Sequence, residues 1–148
     1  VLTQILYISK HDGLITDIEK FMASNRERNK SAGLASILLS TDKYYLHLIE
    51  GHRVDVNYLY NKITKNTAHR DCTLLRYIDV KKREFHNWYA EHVNISEFEI
   101  GHMNLLLPAG DIDIETITSA QAVTMIRRIH AHLLVKHPVT PIAWPAHD

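Results

Sequence analysis

Apolar positions along this chain follow two rhythms. Ile5, Leu6, Tyr7 and Ile8 make a short β-branched and aromatic run that stops at the turn-like Lys10-His11-Asp12-Gly13, which predicts a buried strand over residues 2–9. The spacing then lengthens. Ile15, Ile18, Phe21 and Met22 recur at helical intervals behind Thr16-Asp17-Ile18-Glu19, a capping-box sequence, and the polar run from Asn25 to Ser31 is expected to end that helix. Residues 33–40 and 43–50 are two more apolar runs separated by Ser40-Thr41-Asp42, a hairpin-sized gap, so they should pair antiparallel. Beyond Gly51, the residues Val56, Leu59, Tyr60 and Ile63 fall at i, i+3, i+4 and i+7, predicting a second amphipathic helix that reaches about Lys65. Residues 73–80 and 84–92 read as two further strands, the second rich in aromatics.

The resulting order, β-α-β-β-α-β-β, implies an α+β fold of ferredoxin-like architecture. Both helices lie on one face of a mainly antiparallel sheet that carries one added strand. Residues 1–95 form this domain and residues 96–148 a C-terminal helical extension and tail. Within the extension, Ile100 to Pro108 reads as a connector. Residues 119–137 read as a long helix with Ala122, Met125, Ile126, Ile129 and Leu133 on one stripe, stopped by Pro138. Val123, His130 and Leu134 make that helix apolar on a second side as well. It therefore covers the bare face of the sheet, and its second side is either absorbed there too or serves self-association. The proline-broken tail PVTPIAWPAHD is expected to be poorly ordered.

Composition narrows the function. With 148 residues, 45% hydrophobic and 23% charged, the chain suits one compact domain, and 17 Lys+Arg against 17 Asp+Glu leave no excess positive charge to attract a phosphate backbone, so no nucleic-acid partner is expected. Cys72 is the only cysteine, which excludes a disulfide framework or a zinc site of several thiolates and points to a reducing, cytoplasmic compartment. No apolar run approaches the ~18 residues of a membrane span. The five glycines fit neither a dinucleotide fingerprint nor a P-loop. His130 and His132 diverge on a helix, and His86 and His92 are too far apart on a strand, so no metal site is expected. The first loop, with one glycine and no arginine, lacks the phosphate cradle of an acylphosphatase-like hydrolase, and nothing places Ser, His and Asp in a triad.

The hairpin carries the chemistry. Alternation puts Tyr45, His47 and Ile49 on one face and Leu46 and Leu48 on the other, so a polar ring sits within an apolar stripe. Tyr7 on the first strand needs a hydroxyl partner if it is buried. Should both face the helices, they meet each other or a ligand held there; the alternative is a histidine satisfied within the core.

Several separated motifs resemble the BLUF family of flavin-binding blue-light sensors. ILYIS at Ile5 to Ser9 is similar to the family's opening strand, and NKSAGLASILLS from Asn29 to Ser40 to its asparagine and the GITG-like strand that follows. YLHLIEG from Tyr45 to Gly51 resembles FLQVLEG, ITKNTAHR from Ile63 to Arg70 resembles the IxxDxRH segment, and REFHNWYAEHV from Arg83 to Val93 resembles the closing RxFxxWxM strand. The resemblance covers roughly the first 93 residues. It implies FAD or FMN bound noncovalently between the two helices, no enzymatic turnover, a downstream signalling protein in trans and a homo-oligomer. Carried over by position, Tyr7 matches the photo-oxidised tyrosine, Asn29 the asparagine bonded to the ring, and Trp88 the tryptophan near the site. Ile63 would pack on the ring, His69 matches the histidine of the RH pair, Lys62 stands where arginine is usual, and Arg28 precedes the ring-binding asparagine.

Departures from the pattern are equally informative. His47 replaces the glutamine that exchanges hydrogen bonds with tyrosine and flavin, Asn66 replaces the aspartate, Ala68 the arginine and Ala90 the methionine, while Ala35-Ser36 stands for the TG of GITG. Imidazole offers one donor and one acceptor, as an amide does, but at different places and without a carbonyl oxygen. The expectation is a sensor in which His47 relays a proton from Tyr7 without storing a long-lived rearranged state. The competing expectation is a flavin-free interaction module on the same fold.

Overall fold

The computed structural model describes residues 1–13, 17–66, 68–95 and 112–145. Among the described residues, eight elements follow one another: β1 (Leu2–Lys10), α1 (Ile18–Ala32), β2 (Ala35–Ser40), β3 (Tyr44–His52), α2 (Arg53–Thr64), β4 (Arg70–Val80), β5 (Ala90–Asn94) and α3 (Ser119–Lys136). The strands form one sheet in the order β4-β1-β3-β2-β5. Every pairing is antiparallel except β2 with β5. The ferredoxin-like α+β arrangement expected from the residue pattern is the one found, with β5 as the added edge strand.

Alternation along the strands sorts two separate cores. Leu6, Ile8, Ile37, Leu39, Leu46 and Leu48 pack on one face with Ala122, Met125, Ile126 and Ile129 of α3. Ile5, Tyr7 and Ile49 pack on the other with Val56 and Leu59 of α2. The C-terminal helix thus covers the face that α1 and α2 leave bare. Its second apolar side is absorbed as well: Val123 is buried, and His130 meets Phe85 and Trp88 edge-on at ring separations of 5.0 and 5.4 Å. Thr118 and Gln121 close a reciprocal capping box at its start.

The elements depart from the residue pattern in four places. α1 runs through the polar stretch to Ala32, because Asn29 on that stretch is fully buried and hydrogen-bonded rather than solvated. The helix is capped by Asp17, whose side chain accepts the Lys20 N–H at 3.1 Å; Thr16 and Ile15 lie outside the described residues. It ends at Gly33, whose φ of 69° is the left-handed conformation that glycine adopts without a Cβ clash. The strand expected over 84–92 begins only at Ala90, because the N–H groups at its start are taken by a side chain instead of a ladder. The Glu50 carboxylate accepts both the Glu84 and Phe85 N–H groups at 3.0 Å. His86 is consequently not on a strand. Finally, the described part of the tail, which reaches residue 145, is held in place: Ile142 N–H donates to His86 O at 2.8 Å and the Trp144 indole N–H to the same carbonyl at 3.2 Å. The connector from Ile100 to Pro108 lies outside the described residues, as does the junction at 96 between domain and extension. No described helix is long and apolar enough to cross a membrane.

Glu50 is the polar centre of the α3 face. Fully buried, it also accepts the Gln4 amide at 2.7 Å, and Gln4 reaches Glu84, which pairs with Arg127 of α3. Burial raises the Glu50 pKa, opposed by these hydrogen bonds. Next to it, Gly51 leaves no room for a side chain: a Cβ there would lie 2.5 Å from Leu34 Cδ2. Glu50→Ala leaves two buried N–H donors without an acceptor and should lower unfolding stability by about 2–4 kcal/mol. Glu50→Gln, which retains one acceptor oxygen, should lose clearly less. Urea denaturation of the two variants checks this, and equal losses would rule out the hydrogen-bonding role.

Candidate functional site

A cavity of about 280 Å³ opens on the helix-covered face of the sheet. Its floor is Tyr7 of β1, Leu38 of β2, and Tyr45 and His47 of β3. One wall comes from α1 through Phe21, Asn25 and Arg28; the other from Ile63 on α2 and from Asn66, Ala68 and His69 beyond it. Its volume is near the lower end of the roughly 300–1,000 Å³ of small-molecule sites.

The floor is built by strand register. Tyr7 lies directly opposite His47 in the β1–β3 ladder, so their side chains leave the same face at the same level. On its other side, β1 pairs with β4 through irregularities between Leu6 and Tyr7 and between Ile8 and Lys10, the kind of local kink that re-aims side chains beside a site. Asp71, opposite the second irregularity, takes φ 52°, a conformation aspartate tolerates better than most residues.

Tyr7 Oη and His47 Nδ1 are 2.7 Å apart. Both residues are neutral. Burial, reinforced by Cys72 and Tyr60, raises the Tyr7 pKa well above that of free phenol. Burial lowers His47 to about 3, with His69 and Arg28 adding to the effect. The proton therefore rests on oxygen, and the phenol donates to Nδ1. The reverse arrangement would leave the buried O–H of Tyr7 without an acceptor among the described residues. His47 accordingly carries its own proton on Nε2, which makes no hydrogen bond to a described residue while the ring lines the cavity.

Further rings surround this pair. Tyr60 stands 5.4 Å and His69 6.2 Å from the Tyr7 ring, centroid to centroid. His69 Nδ1 lies 2.9 Å from Ser9 Oγ, and its pKa is lowered by burial and then by His11. His11 stacks on Tyr45 at 4.4 Å with its Nε2 on Thr41 O.

The residues singled out from sequence divide into two groups. Tyr7, Arg28, His47, Ile63, Asn66 and His69 line the cavity together. Asn29, Lys62 and Trp88 do not. Asn29 sits one layer behind, where its amide donates to Ser36 Oγ at 3.0 Å and Tyr89 O at 2.7 Å, while its Oδ1 accepts from Arg28. Lys62 is exposed and lies over the Tyr58 ring, and Trp88 packs against His130 of α3. Asp12, Gly13, Phe21, Asn25, Leu38 and Tyr45 also belong to the lining and were not singled out. The signal was there: Phe21, Asn25 and Arg28 stand at i, i+4 and i+7, and Tyr45 shares the strand face of His47.

Flavin fits the donor set of this cavity. Aromatic and aliphatic groups flank a slot, Arg28 and Asn66 offer polar contacts at its walls, and the buried polar edge of His47 faces inward. No carboxylate stands at Asn66, whose Oδ1 accepts the Ala68 N–H at 2.9 Å.

The neutral state of His47 has a consequence for stability. Between about pH 6.5 and 3 the unfolded chain binds a proton at this site and the folded chain does not, so this contribution is complete above pH 6.5 and declines as pH falls through that window. At pH 5 the loss reaches up to about 2 kcal/mol. His47→Gln removes this component, although His69 keeps a share of its own. Urea midpoints at pH 7 and pH 5 should thus fall less for His47→Gln than for the unaltered chain; equal falls would contradict a buried neutral imidazole.

Comparison with known proteins agrees with this geometry. The BLUF family, described as sensors of blue light using FAD, matches residues 2–91. Among solved structures, the BLUF protein BlrB in its dark state aligns with TM-score 0.71 and 25% identity, covering 89% of this chain and 97% of BlrB. BlsA in its ground state aligns with TM-score 0.75 at 17% identity, covering 88% of each chain. A bacterial light-regulated adenylyl cyclase aligns over 93% of this chain with TM-score 0.64 and 20% identity. This chain spans only 36% of that cyclase and 26% of Klebsiella pneumoniae BlrP1. No curated protein matches significantly in sequence. With the family pattern running through most of the sheet, both covering helices and the cavity between them, this chain belongs to the BLUF family of flavin-binding blue-light sensors.

Proposed function

We propose that the cavity holds FAD or FMN noncovalently and that Tyr7 and His47 turn its photochemistry into a brief signal. The observation that carries this reading is the 2.7 Å phenol–imidazole bond opening on the cavity. When bound, flavin supplies blue-light absorption and an excited-state oxidant for a neighbouring phenol. Proton handling belongs to the chain itself. Tyr7 holds its O–H on His47 Nδ1, so loss of an electron from the phenol leaves its proton an acceptor already in place. The imidazolium that results stands in a site that lowers the His47 pKa to about 3, so once the electron returns to the phenolic oxygen the proton follows it back. A glutamine amide instead rearranges within one planar group and keeps its new hydrogen bonds.

Arg28 and Asn66 contact the polar edge of the ring in this reading, Ile63 packs on its face, and His69 closes the far side. Asn29 acts by positioning Arg28. Lys62 and Trp88 belong to the outer surroundings of the site. The single cysteine suits a cytoplasmic setting. The signal leaves through contacts with another copy or a separate protein, with no turnover by this domain.

A flavin-free interaction module is the second reading, favoured by the missing carboxylate at Asn66 and the missing guanidinium at Ala68. Colour separates the two: protein purified with flavin, or reconstituted with it, should be yellow. Blue light should then give a red-shifted difference spectrum that decays quickly, Tyr7→Phe should abolish it, and His47→Gln should lengthen it by about tenfold or more, the change a 1.4 kcal/mol higher return barrier gives. A persistent red shift in the unaltered chain would refute the brief signal, and protein that stays colourless after reconstitution would refute flavin binding.

A further inference from the structure

The C-terminal tail is tied to the cavity by two short chains of contacts, both ending on Trp144. In the first, Arg28, which lines the cavity, donates Nε–H and an Nη2–H to Asn29 Oδ1, each at 3.2 Å. Asn29, fully buried, donates its amide to Tyr89 O at 2.7 Å, and the Tyr89 ring meets the Trp144 indole edge-on at 5.2 Å. In the second, Arg83 donates to Gly33 O, the carbonyl at the C-cap of α1, at 2.7 Å, and lays its guanidinium on the Trp144 ring at 4.0 Å. Both chains start from the last turns of α1, the helix that forms one cavity wall.

From these contacts we infer that residues 142–145 form a latch whose hold on residues 83–89 depends on the hydrogen-bond state of Arg28 in the cavity. The inference rests on the flavin reading only for what fills the cavity. A polar ligand edge that draws the Arg28 guanidinium inward competes with Asn29 Oδ1 for the same donors. Freed on one side, the Asn29 amide holds the Tyr89 carbonyl less tightly and leaves it to the Ser36 N–H, which donates to the same oxygen at 3.0 Å; Tyr89 is the residue against which Trp144 rests. Ile142 N–H and the Trp144 indole N–H share a single acceptor, His86 O. Coupling of this kind is reciprocal: if filling the cavity loosens the latch, loosening the latch changes affinity for the ligand.

Only two tryptophans exist, so Trp88→Phe leaves Trp144 as the sole indole reporter. In that background, without flavin, acrylamide quenching of Trp144 should increase and its emission move to the red in Arg28→Ala, and in Arg28→Lys, which keeps the charge and loses the fork. Circular dichroism confirms that each variant is folded. Unchanged quenching in folded Arg28 variants would overturn the latch. With FMN as the probe, Trp144→Ala should change its dissociation constant by about fivefold in a fluorescence titration of the full chain. An unchanged constant would also overturn the coupling. Absence of FMN binding by the unaltered chain would refute the flavin reading instead and leave the Arg28 comparison to decide the latch.

Discussion

A neutral phenol donating to a neutral imidazole, sealed between adjacent strands, governs what this cavity does. Tyr7 and His47 face each other because β1 and β3 pair in one register; a slip of one strand by a single residue would put the two rings on opposite faces of the sheet. Their burial holds the phenolic proton tightly and makes the imidazole a poor base, so the pair is polarised toward O–H···N before any light or ligand acts. A proton moved across this bond stands energetically uphill.

The rest of the molecule keeps that arrangement rigid. One face of the sheet is devoted to the site, while the other is sealed by α3 and by the Glu50 carboxylate, which fixes the backbone entering β5. This division separates stability from chemistry. The polar network around Gln4, Glu50 and Glu84 reaches Arg127, whereas the cavity side reaches the tail through Arg28, Asn29 and Tyr89. The segment from Arg83 to Tyr89 is where the two routes meet, held by the Glu50 carboxylate and by the backbone N–H groups of Ile142 and Ser36 rather than by a regular strand ladder.

That segment is also where the residue pattern misled. Aromatic and β-forming residues from Glu84 to His92 look like a strand, yet a carboxylate distant in sequence satisfies the N–H groups of Glu84 and Phe85, and no local spacing reveals that. The polar stretch of α1 looked like a helix end because Asn29 is polar; only the fold shows that Ser36 and Tyr89 meet its amide. By contrast, period-two alternation in the hairpin placed His47 and Tyr45 on the correct face, and the run around Tyr7 fixed the opposite strand. Local periodicity identifies a face; it does not show which of several polar groups reaches the cavity and which stands behind. Thus Arg28 and His69 line the cavity while Asn29, Lys62 and Trp88 do not, although all five were drawn from the same motifs.

The protonation pattern of His47 is the most direct measure of this account. Nitrogen-15 correlation spectra of the imidazole at pH 7 and pH 5 should show a single neutral form at both, with the proton on Nε2 and Nδ1 bare to accept from Tyr7. An imidazolium at pH 5, or a neutral ring carrying its proton on Nδ1, would contradict it.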